Sequence, residues 1–180
     1  MTDTEQSKHL HDLVSICSRL PAVSVDQLVG STRILSHSPF KGKATIPTLA
    51  ATLAFDDQQA VALVDFLRLL DLIEMDKGNV SLTQQGTDFA RANMTKRRKL
   101  FADGLVMRIP IMRRLVDKLA SEPTRSLSHI RLISDLAPNL SQENRERLIN
   151  HVIGWARYAD LISVDPSDGT VALKAEHRSA

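Results

Sequence analysis

The sequence predicts a mainly α-helical chain with small β-hairpins, in which one plan is used twice. Three observations predict it. The segment Asp71-Leu72-Ile73-Glu74-Met75-Asp76 returns 89 residues on (from 71 to 160) as Asp160-Leu161-Ile162-Ser163-Val164-Asp165. Each copy then runs through a glycine-containing turn into a second alternating stretch, Gly78-Asn79-Val80-Ser81-Leu82 and Gly169-Thr170-Val171-Ala172-Leu173. Upstream of each copy, apolar residues fall at helical spacing. A repeat of that period sets the whole plan. Three helices followed by a two-stranded hairpin form a helix-turn-helix with a wing, so the expected architecture is two winged-helix units in tandem.

The elements follow in order. An N-terminal helix is expected over residues 1–20, with Leu10, Leu13, Val14 and Cys17 on its apolar side. The first unit covers 21–94. Ser24 caps a helix over Val25–Leu35, and the stretch Ser36 to Ala44 (SHSPFKGKA) reads as a mobile loop. Pro47 suits the first turn of a short helix through Leu53. Asp56 caps a third helix over 57–70, with Gln59 three residues on as its capping-box partner. Ala60, Leu63, Val64, Leu67 and Leu70 share one face of it. Alternation of Ile73 with Met75, and of Val80 with Leu82, predicts two half-buried strands. Asp76-Lys77-Gly78-Asn79 supplies the turn between them. A helix over 83–92 and a linker helix over 95–108 lead to the second unit, 109–174. There Pro110 opens a helix with Met112, Leu115, Val116, Leu119 and Ala120 inward. A short helix over Ser128–Leu136 ends before Pro138. Ser141 caps a third helix to about Ala159, with Leu148, Ile149, Val152, Trp155 and Ala156 inward. A longer turn, Pro166 to Gly169, joins the second pair of strands, and 175–180 is a tail.

Composition bounds the rest. Hydrophobic residues make up 43% but aromatic ones only 4%, so the core is aliphatic. No apolar run approaches the roughly 18 to 20 residues of a membrane helix, and the polar start is not that of a secretory signal. No membrane insertion is expected. The lone Cys17 cannot form an internal disulfide, which fits a reducing, cytoplasmic setting. Residues 1–94 hold 8 Lys and Arg against 11 Asp and Glu, a balance of −3, whereas 95–180 hold 15 against 10, a balance of +5. An anionic partner would therefore meet the C-terminal half.

No chemistry-bearing constellation stands out. The six His, at 9, 11, 37, 129, 151 and 177, sit outside H-E-x-x-H or C-x-x-C patterns, which zinc sites usually show. The chain has no G-x-S-x-G elbow and no glycine-rich dinucleotide fingerprint. No catalytic residue, metal or cofactor is nominated, and the chain is expected not to be an enzyme.

Two kinds of surface remain. On the third helix of the first unit, Ala62, Phe66 and Leu69 lie off the core face beside Gln58, Asp65 and Arg68. An apolar flank with an acid suits a protein partner better than phosphate, and it would also serve a homodimer. Nucleic acid is the alternative partner, because winged helices often place their third helix in the major groove. Its candidates are Lys96, Arg97, Arg98 and Lys99 in the densest charge run, and Arg145, Arg147, Asn150 and Arg157 on the third helix of the second unit. The wing tip Asp165-Pro166-Ser167-Asp168 opposes that alternative, since its acids would be repelled by the phosphate backbone.

An ordered set of segments resembles one family, the AAA-associated C-terminal domain that follows the ATPase of nitrate/sulfonate/bicarbonate-type ABC transporters. The segments are Leu69-Leu70-Asp71-Leu72-Ile73, Val80-Ser81-Leu82-Thr83-Gln84-Gln85-Gly86 and Phe89-Ala90. After these come Lys96-Arg97-Arg98-Lys99-Leu100-Phe101, Ile109-Pro110-Ile111 and Trp155-Ala156-Arg157-Tyr158-Ala159. The chain departs from the family's usual setting in having no G-x-x-x-x-G-K-[S/T] loop to cradle phosphates. The resemblance implies a non-catalytic regulatory or accessory interaction module, with a protein partner such as a transporter ATPase subunit. The alternative is a winged-helix DNA-binding transcriptional regulator.

Overall fold

Each hairpin begins where a helix is stopped, and the stop is built twice in the same way. The computed structural model describes residues 24–138 and 140–174. The expected N-terminal helix, with Cys17, and the 175–180 tail lie outside them. The described elements are α1 (Val25–Ser36), β1 (Lys43–Thr45), α2 (Ile46–Leu53), α3 (Asp57–Leu69), β2 (Ile73–Asp76), β3 (Asn79–Leu82), α4 (Gln84–Arg91) and α5 (Met94–Arg108). They continue with α6 (Pro110–Ser121), β4 (Ser126–Ser128), α7 (His129–Leu136), α8 (Gln142–Tyr158), β5 (Ile162–Val164) and β6 (Thr170–Leu173). The chain divides into two compact units between Leu100 and Phe101, inside α5.

The protein is mainly α, and its described residues form two small antiparallel sheets of three strands. The expected hairpins are present, but each gains a third strand that the sequence reading missed. β1 pairs with β3 and β4 with β6, so the strand orders are β1-β3-β2 and β4-β6-β5. Val80 sits opposite both Ala44 and Met75, and Val171 opposite both Leu127 and Val164. Both central valines are fully buried. The expected loop at 36–44 is therefore partly ordinary structure. Ser36 closes α1, Lys43 and Ala44 belong to β1, and the turn between is held by the Gly42 N–H on the Leu35 carbonyl at 2.6 Å and the Lys41 N–H on the His37 carbonyl at 2.8 Å.

The repeated Asp-Leu-Ile is the helix stop itself. Asp71 and Asp160 take the left-handed conformation, with φ of 59° and 62°, which Asp tolerates better than most residues. The Leu72 N–H reaches the Leu67 carbonyl at 2.9 Å and the Asp71 N–H the Arg68 carbonyl at 2.9 Å. The Leu161 N–H reaches Ala156 at 2.9 Å and the Asp160 N–H reaches Arg157 at 3.1 Å. This paired pattern satisfies two of the carbonyls a helix end leaves free. Leu72 and Leu161 are buried beneath the turn, and Ile73 and Ile162 begin the strands as core residues.

The helix starts follow their sequence signals. Ser24 and Asp56 each accept from the N–H three residues on and donate their own N–H to the side-chain oxygen of that residue, Gln27 and Gln59. Thr45, Thr83 and Ser128 cap α2, α4 and α7 in the simpler way. Ser141 precedes α8 without a side-chain cap. Lys77 and Gly78 both have positive φ, 47° and 81°, which makes the tight turn whose twist matches a hairpin.

Two expected inward positions face out. Met75 is 38% exposed because β2 runs past the end of the core. Ala120 is exposed, and Ile111 is buried in the first turn of α6 instead. Otherwise the expected apolar faces of α3, α6 and α8 are buried.

Candidate interaction surfaces

The segment Leu82-Thr83-Gln84-Gln85-Gly86 fastens the first sheet to the helix after it. The Thr83 hydroxyl accepts from the Gly86 N–H at 2.9 Å and donates to the Asp71 carbonyl at 2.6 Å. Gly86 then lies directly on the backbone of Leu72. A Cβ there would stand 1.8 Å from the Leu72 carbonyl oxygen. These residue types are therefore required by how close the two backbones come.

The partner flank expected on α3 is not free. Ala62 and Phe66 are 2% and 1% exposed, and Leu69 is half-buried. The reason is that α3 buries Ala60, Ala62, Leu63, Val64, Phe66 and Leu67, an arc of roughly 200° at 100° per residue. Only a narrow stripe reaches solvent, and it includes Gln58, Val61 and Arg68. A dimer contact through Phe66 would need this core to open.

The cation run at 96–99 also divides. Asn93 caps α5 by accepting from the Lys96 N–H at 2.9 Å. Arg97 is 8% exposed and turns back to the end of α4. Its Nε donates to the Phe89 carbonyl at 3.2 Å and its Nη2 to the Ala92 carbonyl at 2.5 Å. A cation at a helix C-terminus satisfies unpaired carbonyls and the negative end of the helix dipole together. Arg97 is thus spent inside the fold and withdrawn from the nucleic-acid candidates. Lys96, Arg98 and Lys99 remain exposed.

On α8 the candidates divide again. Arg145 donates from Nη2 to the carbonyls of Pro138 and Leu140, both at 2.9 Å. It closes the turn before the helix and is likewise withdrawn. Arg147, Asn150 and Arg157 are exposed, with Glu143 and Gly154 on the same stripe. Arg147 pairs with Glu143 at 2.5 Å. A Cβ on Gly154 would meet nothing within 4 Å. On the opposite side, the Trp155-Ala156-Arg157-Tyr158-Ala159 segment packs Trp155, Ala156 and Ala159 into the core. Tyr158 stands edge-on to Phe101 with ring centres 5.5 Å apart.

Other charges of the second unit are tied to one another. Lys118 lies 3.0 Å from Asp135 and 3.7 Å from Glu122, and Arg131 lies 3.7 Å from Glu122 and 3.9 Å from Asp135. At the ribbon tip, Asp165 accepts from the Ser167 hydroxyl at 2.6 Å and the Ser167 N–H at 2.8 Å. The hydroxyl first and the N–H second hold its carboxyl below the ordinary carboxylate range. Asp168 accepts from the Thr170 N–H at 2.7 Å. Among the described residues no three His, Cys, Asp or Glu gather as a metal site, and no helix is long and apolar enough to cross a membrane.

The profile of the C-terminal AAA-associated domain family matches residues 47–165, which is well over half of the chain. The chain belongs to this family. No curated protein and no solved structure matches it. In this AAA-associated domain the family-like residues serve largely as fastenings. Asp71, Thr83, Gly86 and Arg97 stop, cap or seat helices, while Phe89, Phe101, Ile109 and Trp155 fill cores. Arg157 stands out among them as a family-like residue turned to solvent from α8.

Proposed function

We propose that this AAA-associated domain is a regulatory or accessory module that works by binding another protein, with a transporter ATPase subunit as partner. On this reading each unit is a winged helix used as a scaffold, and the chain carries out no covalent chemistry. With such a partner it would act on the cytoplasmic side of the membrane. The observation that carries the reading is the fate of the cations. Arg97 and Arg145 are bound to backbone carbonyls, and Lys118 and Arg131 to carboxylates. Binding to a phosphate backbone draws its strength from cations that replace counterions. Here many of them are already committed, and the second ribbon ends in Asp165 and Asp168.

The DNA-binding regulator keeps one specific support. Arg147, Asn150 and Arg157 share the exposed stripe of α8, and Arg and Asn are residue types that read base edges. Two measurements separate the readings. The hydrolysis rate of the transporter ATP-binding subunit, followed with and without this chain, should change, and Arg157→Glu in α8 should reduce the change. Fluorescence anisotropy with a mixed-sequence duplex should give an affinity no tighter than about 100 μM at physiological salt. Tight duplex binding that falls steeply between 50 and 200 mM salt, with no effect on the ATPase, would replace the module with the regulator.

A further inference from the structure

We propose that the groove between α1 and α2 of the first unit binds a small organic carboxylate with an apolar body, and so gives the domain an effector site. The groove has a volume of about 540 Å³, within the roughly 300–1,000 Å³ of small-molecule sites. It lies mostly ahead of the stretch that the family profile covers, and the proposal does not depend on the partner reading above. Ile34, Pro39 and Phe40 are among its lining residues, and a Cβ on Gly30, which also lines it, would meet nothing within 4 Å.

The charge at the rim selects the ligand. Arg33 and His37 line the groove, and among the described residues no carboxylate does, although residues 1–94 carry a balance of −3. The nearest acid on α1, Asp26, stands one turn beyond Gly30 and is not a lining residue. Helix C-termini normally attract cations to their free carbonyls. Here three of those carbonyls are already taken. The Gly42 N–H holds Leu35, the His37 N–H holds Ile34, and the Ser36 hydroxyl and His37 Nδ1 hold the Arg33 carbonyl. Arg33 is exposed, and its guanidinium has no hydrogen bond or ion pair among the described residues. The Nδ1 contact at 2.7 Å orients the His37 ring at the rim. A planar, two-donor guanidinium matches a carboxylate in bidentate fashion, while the three apolar lining residues take the body of the ligand.

The test uses benzoate as the probe and benzamide as its neutral counterpart, with the full chain in solution. Backbone amide and Arg Nε–H shifts are followed by two-dimensional NMR. Benzoate should give saturable shifts confined to Gly30–Phe40 and Thr52. Benzamide should bind at least about tenfold more weakly, because it lacks the charge that the guanidinium pairs with. Arg33→Gln should weaken benzoate by a similar factor with an unchanged melting temperature, whereas Arg68→Gln, outside the groove, should leave binding intact. Equal affinity for the two probes, shifts centred elsewhere, full binding by Arg33→Gln, or no saturation by about 10 mM would each overturn the proposal.

Discussion

Replacing Gly86 with alanine tests the account of how the first unit is closed. The new methyl would lie 1.8 Å from the Leu72 carbonyl oxygen, whereas real Cβ contacts essentially never fall below 3.0 Å. Helix α4 would therefore have to retreat by more than 1 Å. The carbonyl cannot yield instead, because it accepts from the Thr83 N–H at 3.1 Å, and the Leu72 N–H is held by Leu67 at 2.9 Å. Overpacking of this kind costs about 1–3 kcal/mol, and a clash with fixed backbone belongs at or above the top of that range. Alanine recovers about 1 kcal/mol of helix propensity, which leaves a net loss of about 2 kcal/mol or more. For a chain of this size that lowers the melting temperature by roughly 4–8 °C. The control is Gly154→Ala on α8, where the methyl meets open space. That variant should gain about 0.5–1 kcal/mol. Thermal denaturation followed by circular dichroism compares the two. If Gly86→Ala melts with or above the natural chain, the backbone contact is not what requires glycine there.

Further outcomes follow from the same geometry. Arg97→Ala should destabilise by about 1.5–3 kcal/mol, since it removes charge-assisted bonds to two helix-end carbonyls, while Lys99→Ala two residues on should stay within about 0.5 kcal/mol; urea midpoints read both. Asp71→Val should cost at least about 1–2 kcal/mol, because a branched side chain resists the left-handed turn; the same urea series reads it. Asp165 has a depressed folded pKa, so its contribution is present above the unfolded carboxylate value of about 3.9 and is lost as pH falls through the folded one. Asp165→Asn should therefore melt below the natural chain at neutral pH, and the gap should narrow as the pH falls below the unfolded carboxylate value of about 3.9; a gap independent of pH would reject the role of the Ser167 bonds.

How far the sequence could be read depended on how local each signal was. The Asp56–Gln59 box, the proline starts and the repeated Asp-Leu-Ile act within four or five residues, and each was legible. β1 and β4 were not, because each has three residues with one buried, Ala44 and Leu127, too few for alternation to show. Their partners lie 36 and 44 residues away, at Val80 and Val171. The flank on α3 does not show in the sequence as buried, because a helical wheel assumes one buried face, whereas α3 is covered around more than half its circumference. Arg97 looked like one cation among four, since nothing in Lys-Arg-Arg-Lys reveals that one of them returns to Phe89 and Ala92. The stripe of Arg147, Asn150 and Arg157 was legible because α8 buries a single side, and the groove beside Arg33 was not legible at all.

The double stop at Asp160 and Leu161 leaves no slack between α8 and the ribbon that follows. Two backbone bonds and a buried leucine join them, so the pair turns as one piece. A molecule that seats itself along Arg147, Asn150 and Arg157 and pulls on α8 therefore pulls on the second sheet as well, because the strand β5 leaves the helix with no free residue between them.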